Sequence, residues 1–235
     1  MPMLGISGFN PLSLSPALWL DAVDASTLFQ DTAGATPVTA AGQNVLRWAD
    51  KSGNGHHATN STGSDYFVSR AGYLEASTTA KRLFFDATLN DHSVFVVLTN
   101  NQQTDPATFG NFVGFFKSDI TQRNPLLYAY SDTPMLIRYS YRGPTGGDQN
   151  ITYSAPSAEK SVYAMHRTGT AIKGTINGAN EQSRTLSPQP GTDAITTGYM
   201  GGIADFYEIL VFSAELSISD KTIVNAYLSS KHGIA

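Results

Sequence analysis

Few side chains in this 235-residue chain stand in a pattern that could do chemistry, and the spacing of most of them argues against it. Retaining glycoside hydrolysis needs two carboxylates about 5 Å apart. Asp205 and Glu208, three residues apart in a strand-like run, are expected to point to opposite sides and make no such pair. His56 and His57 are adjacent, so an extended chain sends their rings apart and they cannot share a metal ion. His92, His166 and His232 are isolated in sequence, and His232 falls in the last turn of a predicted helix, where a cation is favoured. Asp21, Asp24, Asp50 and Asn54 carry the oxygens calcium prefers. No Asp-x-Asp-x-Asp-Gly loop frames them, so they are expected to satisfy nearby backbone N–H groups instead. No cofactor is expected, and calcium is the one ion these oxygens would suit. The chain has no Cys, and neither a Gly-x-Ser-x-Gly elbow, a zincin helix nor a phosphate-binding glycine loop occurs. It reads as a non-enzyme.

Binding is better served than catalysis. Tyr141 immediately precedes RGPTGGDQN, and there the chain is expected to leave the core for a loop. A phenol beside Arg142, Asp148, Gln149 and Asn150 can grip a hydroxyl-rich ligand, the ring by stacking and the amides by paired hydrogen bonds. Asn101, in the polar stretch between Asn100 and Asn111, is a further ligand candidate, because binding groups concentrate on loops. Trp19 and Trp48 could stack on a sugar, but each sits inside a predicted strand and is assigned to the core.

These residues need strands to position them. Charged residues are only 14% of the chain, with 21 Gly, 11 Tyr and 12 Phe, a balance that favours turns and aromatic strands. Predicted strands cover 17–21, 83–86, 93–98, 109–117, two runs within 125–141, 159–168, 170–177 and 206–212. In the 125–141 hairpin, Leu126, Tyr128 and Tyr130 share one face. Met135, Ile137, Tyr139 and Tyr141 share one face of its partner. One helix is expected at the end, capped by Ser217 or Ser219, apolar through Ile223, Val224, Tyr227 and Leu228, and stopped by Gly233. Residues 1–16, rich in Gly, Pro and Ser, read as an extended N-terminal arm joining a single domain over 17–235.

The net charge of −4 and the absence of a basic cluster beyond Lys81-Arg82 leave no footprint for nucleic acid. No run approaches the roughly 18 apolar residues of a membrane span, and the N-terminus lacks the pattern of a usual secretory signal. Within VLRWADKSGNGHHAT at 45–59, Asp50, Ser52, Gly53, Asn54 and Gly55 over-specify a turn after the Trp48 strand. That segment is a signature of architecture more than of activity.

LWLDAVDASTL at 18–28, WADKSGNGHHAT at 48–59, LFFD at 83–86 and ADFYEILVFSAELSISDKTIVNAYLSSKHGI at 204–234 together resemble the concanavalin A-like lectin/glucanase jelly rolls. The likeness is to the laminin-G-like subgroup of bacteriophage structural proteins and bacterial surface proteins, and TAIKGTING at 170–178 looks like its strand ending in an Asn-Gly turn. The resemblance implies an all-β, two-sheet antiparallel jelly-roll sandwich with one short C-terminal α-helix, binding at loops or on the concave sheet. The Glu-x-Asp-x-x-Glu pattern of the glucanases is absent. What it implies of function is a non-enzymatic virion protein of a tail or capsid appendage that binds host-surface or environmental glycans. The alternative is a purely structural decoration or baseplate protein, or a location on an extracellular surface. The arm would dock on other virion proteins, and a homo-oligomer or symmetric assembly is expected.

Overall fold

The computed structural model of the protein describes residues 8–60, 66–78, 80–101, 110–116, 123–130, 136–142, 147–154, 158–187 and 195–235. In chain order the strands are β1 (Leu18–Asp21), β2 (Leu28–Phe29), β3 (Asn44–Val45), β4 (Arg47–Trp48), β5 (Ala58–Thr59), β6 (Phe67–Arg70), β7 (Tyr73–Ala76), β8 (Arg82–Leu89) and β9 (His92–Asn100). Then follow β10 (Gly110–Phe116), β11 (Arg123–Tyr130), β12 (Leu136–Arg142), β13 (Gln149–Ser154), β14 (Lys160–Thr168), β15 (Ala171–Ile176), β16 (Ala179–Thr185), β17 (Ile195–Gly201), β18 (Ala204–Phe212) and the helix α1 (Ile218–His232). They form two antiparallel sheets. Sheet A runs β16-β15-β14-β9-β18-β7-β6-β3, with β1 also paired to β18, and sheet B runs β13-β12-β11-β10-β17-β8-β5-β4-β2.

Period-two alternation sorts the side chains into layers. Val94, Val96 and Leu98 of β9, Tyr163 and Met165 of β14, and Ile209 and Val211 of β18 face sheet B and build the central core. Their neighbours Phe95, Val97, Val162, Ala164, Leu210 and Phe212 face outward and would be a second apolar surface in water. α1 covers them with Val224 and Leu228, and Ile234 joins the same cluster. This is why β9 is buried along its whole length, as a strand sandwiched on both faces must be.

α1 has the expected caps. Ser217 Oγ accepts from Asp220 N at 3.1 Å, and Gly233 takes the left-handed conformation at φ 65°. The buried stripe is Lys221, Val224, Leu228 and His232, so Ile223 is less central than expected. Asn177 (φ 53°) and Gly178 (φ 69°) make the β15–β16 turn, with both central residues left-handed as a type I′ hairpin requires.

Among the described residues the faces expected within each strand of the 125–141 hairpin hold, and the register sets them on opposite sides of sheet B by pairing Leu127 with Tyr139 and Ala129 with Ile137. These four face inward, whereas Leu126 and Tyr128 join Tyr199 on the outer face of sheet B. Tyr141 belongs to the central core and is fully buried. A bulge between Phe206 and Glu208 turns Glu208 to the outer side of sheet A, opposite Val97, so Asp205 and Glu208 share a face after all. They lie in separate polar clusters, Asp205 beside Asn101 and Glu208 under α1.

The described part of the N-terminal arm lies on the domain itself and is not extended. Asn10 caps a short 3-10 turn over Pro11–Leu14, and Phe9 meets Tyr227 of α1 edge to face at 5.5 Å. The tip expected at 131–134 and most of the stretch between Asn100 and Asn111 lie outside the described residues.

Candidate functional site

The residues singled out from the sequence divide between the two ends of the sandwich. Tyr141, Arg142, Asp148, Gln149 and Asn150 come together where β12 passes to β13, with Tyr141 opposite Gln149 and Ser140 opposite Asn150. Asn101 follows the far end of β9, its N–H donating to Ile203 O at 3.2 Å. One end of β9 holds His92, which meets Tyr141; the other leads into Asn101. About nine residues at roughly 3.3 Å each separate them.

Within the first group, the side chains answer one another. Tyr141 does not emerge into the loop. Its ring is stacked on His92, 6.2 Å between centroids and 9° apart in plane, and its hydroxyl is 3.5 Å from His92 Nε2. Burial pushes the Tyr141 phenol above its ordinary value, against the pull of the Arg167 charge. Arg142 and Asp148 form a two-pronged ion pair at 2.7 and 2.9 Å. Gln149 and Asn150 begin a strand rather than a loop. Gln149 Oε1 accepts from Ser187 N at 2.9 Å, and the Asn150 carbonyl accepts from Arg184 Nη1 at 3.3 Å.

His92 and Arg167 complete this end of the interior. They oppose each other across β9 and β14. The inward series Tyr163, Met165 therefore ends in a cation, and that break in an apolar series is the signal the sequence offered. Arg167 is 4% exposed, and its Nε donates to Gly169 O at 2.8 Å. Burial, and then the Arg167 charge, bring the His92 imidazole down to about 4, so at neutral pH it is an uncharged ring against an un-ionised phenol. Nothing here generates a nucleophile.

The tryptophan turn is scaffold. Asp50 Oδ1 accepts from Trp19 N at 2.9 Å and Ser52 N at 2.8 Å, while Oδ2 accepts from Ser52 Oγ and His56 N. The Asp50 N–H donates to His57 Nδ1 at 3.0 Å. Asp21 and Asp24 are bridged by the Lys51 ammonium at 2.9 and 2.8 Å. Their carboxylates thus already hold a cation, and no group of three or more His, Cys, Asp or Glu among the described residues is arranged to hold a metal ion.

A different surface offers itself to a ligand. α1 covers sheet A, but the outer face of β8 is open, with Arg82, Phe84, Asp86 and Thr88 all exposed. Phe84 is 43% exposed in the middle of a regular strand. Its ring lies 6.3 Å from that of Tyr199 on the adjacent β17, and the Arg82 guanidinium sits 5.4 Å over the Tyr199 ring. Leu83 and Phe85 on the other face belong to the core, so Phe84 adds an aromatic ring that the core does not use. Residue order alone marks LFFD as a strand but not which of its two aromatic residues faces out.

No protein-family model matches the chain, and no curated protein matches it in sequence. The fold does match solved structures. The botulinum neurotoxin serotype D binding domain aligns with TM-score 0.65 and 13% identity, over 91% of this chain and 52% of that one. The receptor binding domain of botulinum neurotoxin D gives 0.64 and 12%, over 92% and 54%. The binding domain of botulinum neurotoxin DC in complex with SialylT gives 0.62 and 11%, over 92% and 52%. At this identity the likeness establishes the β-sandwich fold alone. The chain spans about half the length of the solved chains it matches.

Proposed function

We propose that the chain is a non-enzymatic glycan-binding module whose ligand lies on the outer face of sheet B. The exposed Phe84 ring carries the reading. A sugar presents axial C–H groups that pack on an aromatic face, while flanking Arg and Asp side chains hydrogen-bond its hydroxyls. Arg82 and Asp86 flank Phe84 two residues to either side on the same strand face, and the buried Tyr199 ring backs Phe84 from β17. The fold is shared with receptor-binding domains, one of them solved with SialylT, and the sequence resembles lectin-like jelly rolls; both support the assignment. Tyr141, Arg142, Asp148, Gln149 and Asn150 lie on β12–β13, four or more strands from β8 in sheet B, and with Asn101 they are kept as a separate candidate contact area, not as part of the Phe84 site. Screening on a glycan array, followed by titration of the best ligand against wild type and Phe84→Ala, tests this. A loss of tenfold or more in affinity is expected; equal binding, or no glycan bound at all, overturns it.

The setting in which the module works is proposed from the sequence resemblance: a bacteriophage particle, with attachment through the N-terminal segment. Deleting residues 1–7 leaves the Phe9–Tyr227 contact in place. The deleted protein is expected to fold and bind sugar but to be lost from purified particles. Particles that retain it, or never contain the full chain, exclude that setting.

A further inference from the structure

A groove of about 400 Å³ runs between α1 and the β15–β16 hairpin, on the side of sheet A away from the Phe84 face. Its volume falls at the lower end of the roughly 300–1,000 Å³ usual for small-ligand sites. Four polar groups along it have bonding capacity that the fold does not use, and the chemistry of each follows from its partners.

His166 is 1% exposed on the outward face of β14. Its Nδ1 is 3.0 Å from Ser93 Oγ, which also accepts the N–H of Leu216 at 2.9 Å. Donation of the Ser93 hydroxyl proton to His166 Nδ1 selects the tautomer in which Nε2 carries the ring hydrogen and is a donor, and that is the tautomer the site uses. Burial, and then the Lys221 charge, bring this imidazole down to about 3, so it stays neutral. Thr175, 7% exposed on β15, has an Oγ1 with no hydrogen-bond partner. Asn225 of α1 donates its Nδ2 to Lys221 O at 2.9 Å, which fixes its amide orientation and leaves a buried Oδ1 with no partner. Asn177 accepts the Val162 N–H on its Oδ1 at 2.8 Å, leaving the Nδ2 donors uncommitted.

Buried polar groups without partners are rare in native proteins and call for an explanation. Here two fall in one groove, beside a donor whose direction is set by a relay from Ser93. The set mixes donors with acceptors, and its four members are uncharged. Two charged side chains also line the groove: the Glu181 carboxylate, which disfavours an anion, and Lys221, which is held by Glu215, itself bound to Lys173 at 3.3 Å. An anion would find no free positive charge among these four groups. Ile218, 83% exposed at the start of α1, supplies an apolar edge.

We propose that this groove is a second binding site, for a single neutral sugar unit or a polyol of that size. Its hydroxyls accept from His166 Nε2 and Asn177 Nδ2 and donate to Thr175 Oγ1 and Asn225 Oδ1. It rests on the sugar-binding reading only for the choice of probe, and its residues are separate from Phe84.

The test is a titration of the full chain with the methyl glycosides of glucose, galactose, mannose and N-acetylglucosamine, read by the imidazole resonances of His166 in NMR spectra. At least one neutral glycoside is expected to shift them saturably. Thr175→Val keeps the side-chain shape, and its melting temperature should match or exceed that of wild type, since an orphaned hydroxyl is removed. Yet its affinity should fall tenfold or more, and Asn225→Leu should do the same. Phe84→Ala should leave the His166 shift intact even where it abolishes glycan binding to sheet B. Absence of a saturable shift, an undiminished shift in Thr175→Val, or a response to methyl glucuronide alone would overturn the proposal.

Discussion

Glu208 Oε2 accepts from His232 Nε2 at 2.7 Å, tying the last turn of α1 to the bulged middle of β18. The carboxylate is fully buried and also takes Trp19 Nε1 at 2.8 Å, Tyr227 Oη at 2.9 Å and the Lys231 ammonium at 2.8 Å. Lys231 in turn reaches Asp21 at 2.9 Å. Burial and the adjacent Glu208 charge push the Tyr227 phenol upward, as expected of a hydroxyl that must keep its proton to donate. Glu208→Ala strands these donors and an ammonium, which costs about 3–5 kcal/mol when one partner of a buried pair is removed. Urea unfolding followed by tryptophan fluorescence measures it. A loss below about 1 kcal/mol, the worth of a surface pair, would mean the network does not seat the helix.

Stability is expected to fall as pH drops below the ordinary histidine value of 6.5. His92 and His166 are held down to about 4 and about 3, chiefly by burial. Between 6.5 and those values the unfolded chain binds protons that the folded chain refuses, so each histidine adds a slope approaching about 1.4 kcal/mol per pH unit. Glu215 acts further down. Burial alone would raise it, but Lys221, Thr168 and Lys173 hold it at about 2 against an ordinary 4.5. Its contribution is complete above 4.5 and disappears as pH falls toward 2. Thermal melts from pH 7 to pH 3 should show both regimes, and His92→Gln should flatten the first. An unchanged profile in that variant would remove His92 from the account.

Gly174 lies under the Tyr139 ring, and a Cβ there would collide with that fully buried aromatic. The ring is also held from its far end, where Tyr139 Oη donates to Thr175 O at 2.6 Å. Gly174→Ala is therefore an overpacking change worth about 1–3 kcal/mol. Equilibrium denaturation reads the loss, and a neutral result would show that the ring has room to move.

Asp50 accepts four hydrogen bonds, from Trp19 N, Ser52 N, Ser52 Oγ and His56 N. Asp50→Ala removes all of them and leaves partly buried N–H groups unsatisfied, a cost of about 1–3 kcal/mol. Ser52→Ala, which removes only the hydroxyl's bonds, should cost less. If the two variants were equally stable, the turn would be held by its glycines and not by the carboxylate.

Much of the architecture was legible. The β9 run SVFVVL, the β14–β15 pair about Gly169, the Asn-Gly turn that ends β15, the Trp48 turn and the capped final helix all follow from local chemistry: β-branched runs, left-handed turn residues, and a Ser and Gly at the helix ends. Short strands such as β6 and β7 were missed because four residues carry too little periodicity, and β16, ANEQSRT, because an exposed edge strand can be wholly polar.

The turn and cap chemistry of this chain is local, so residue order alone decides it. Facing is not local. A single bulge put Glu208 under the helix, and the pairing of β11 with β12 sent Tyr128 outward while Tyr141 went inward, because a one-residue change in register moves a side chain to the other side of a sheet. The Phe84 face and the His166 groove exist for the same reason. Each is made by strands or a helix far apart in the chain, and only their packing decides which side chains are left on an open surface or without a partner.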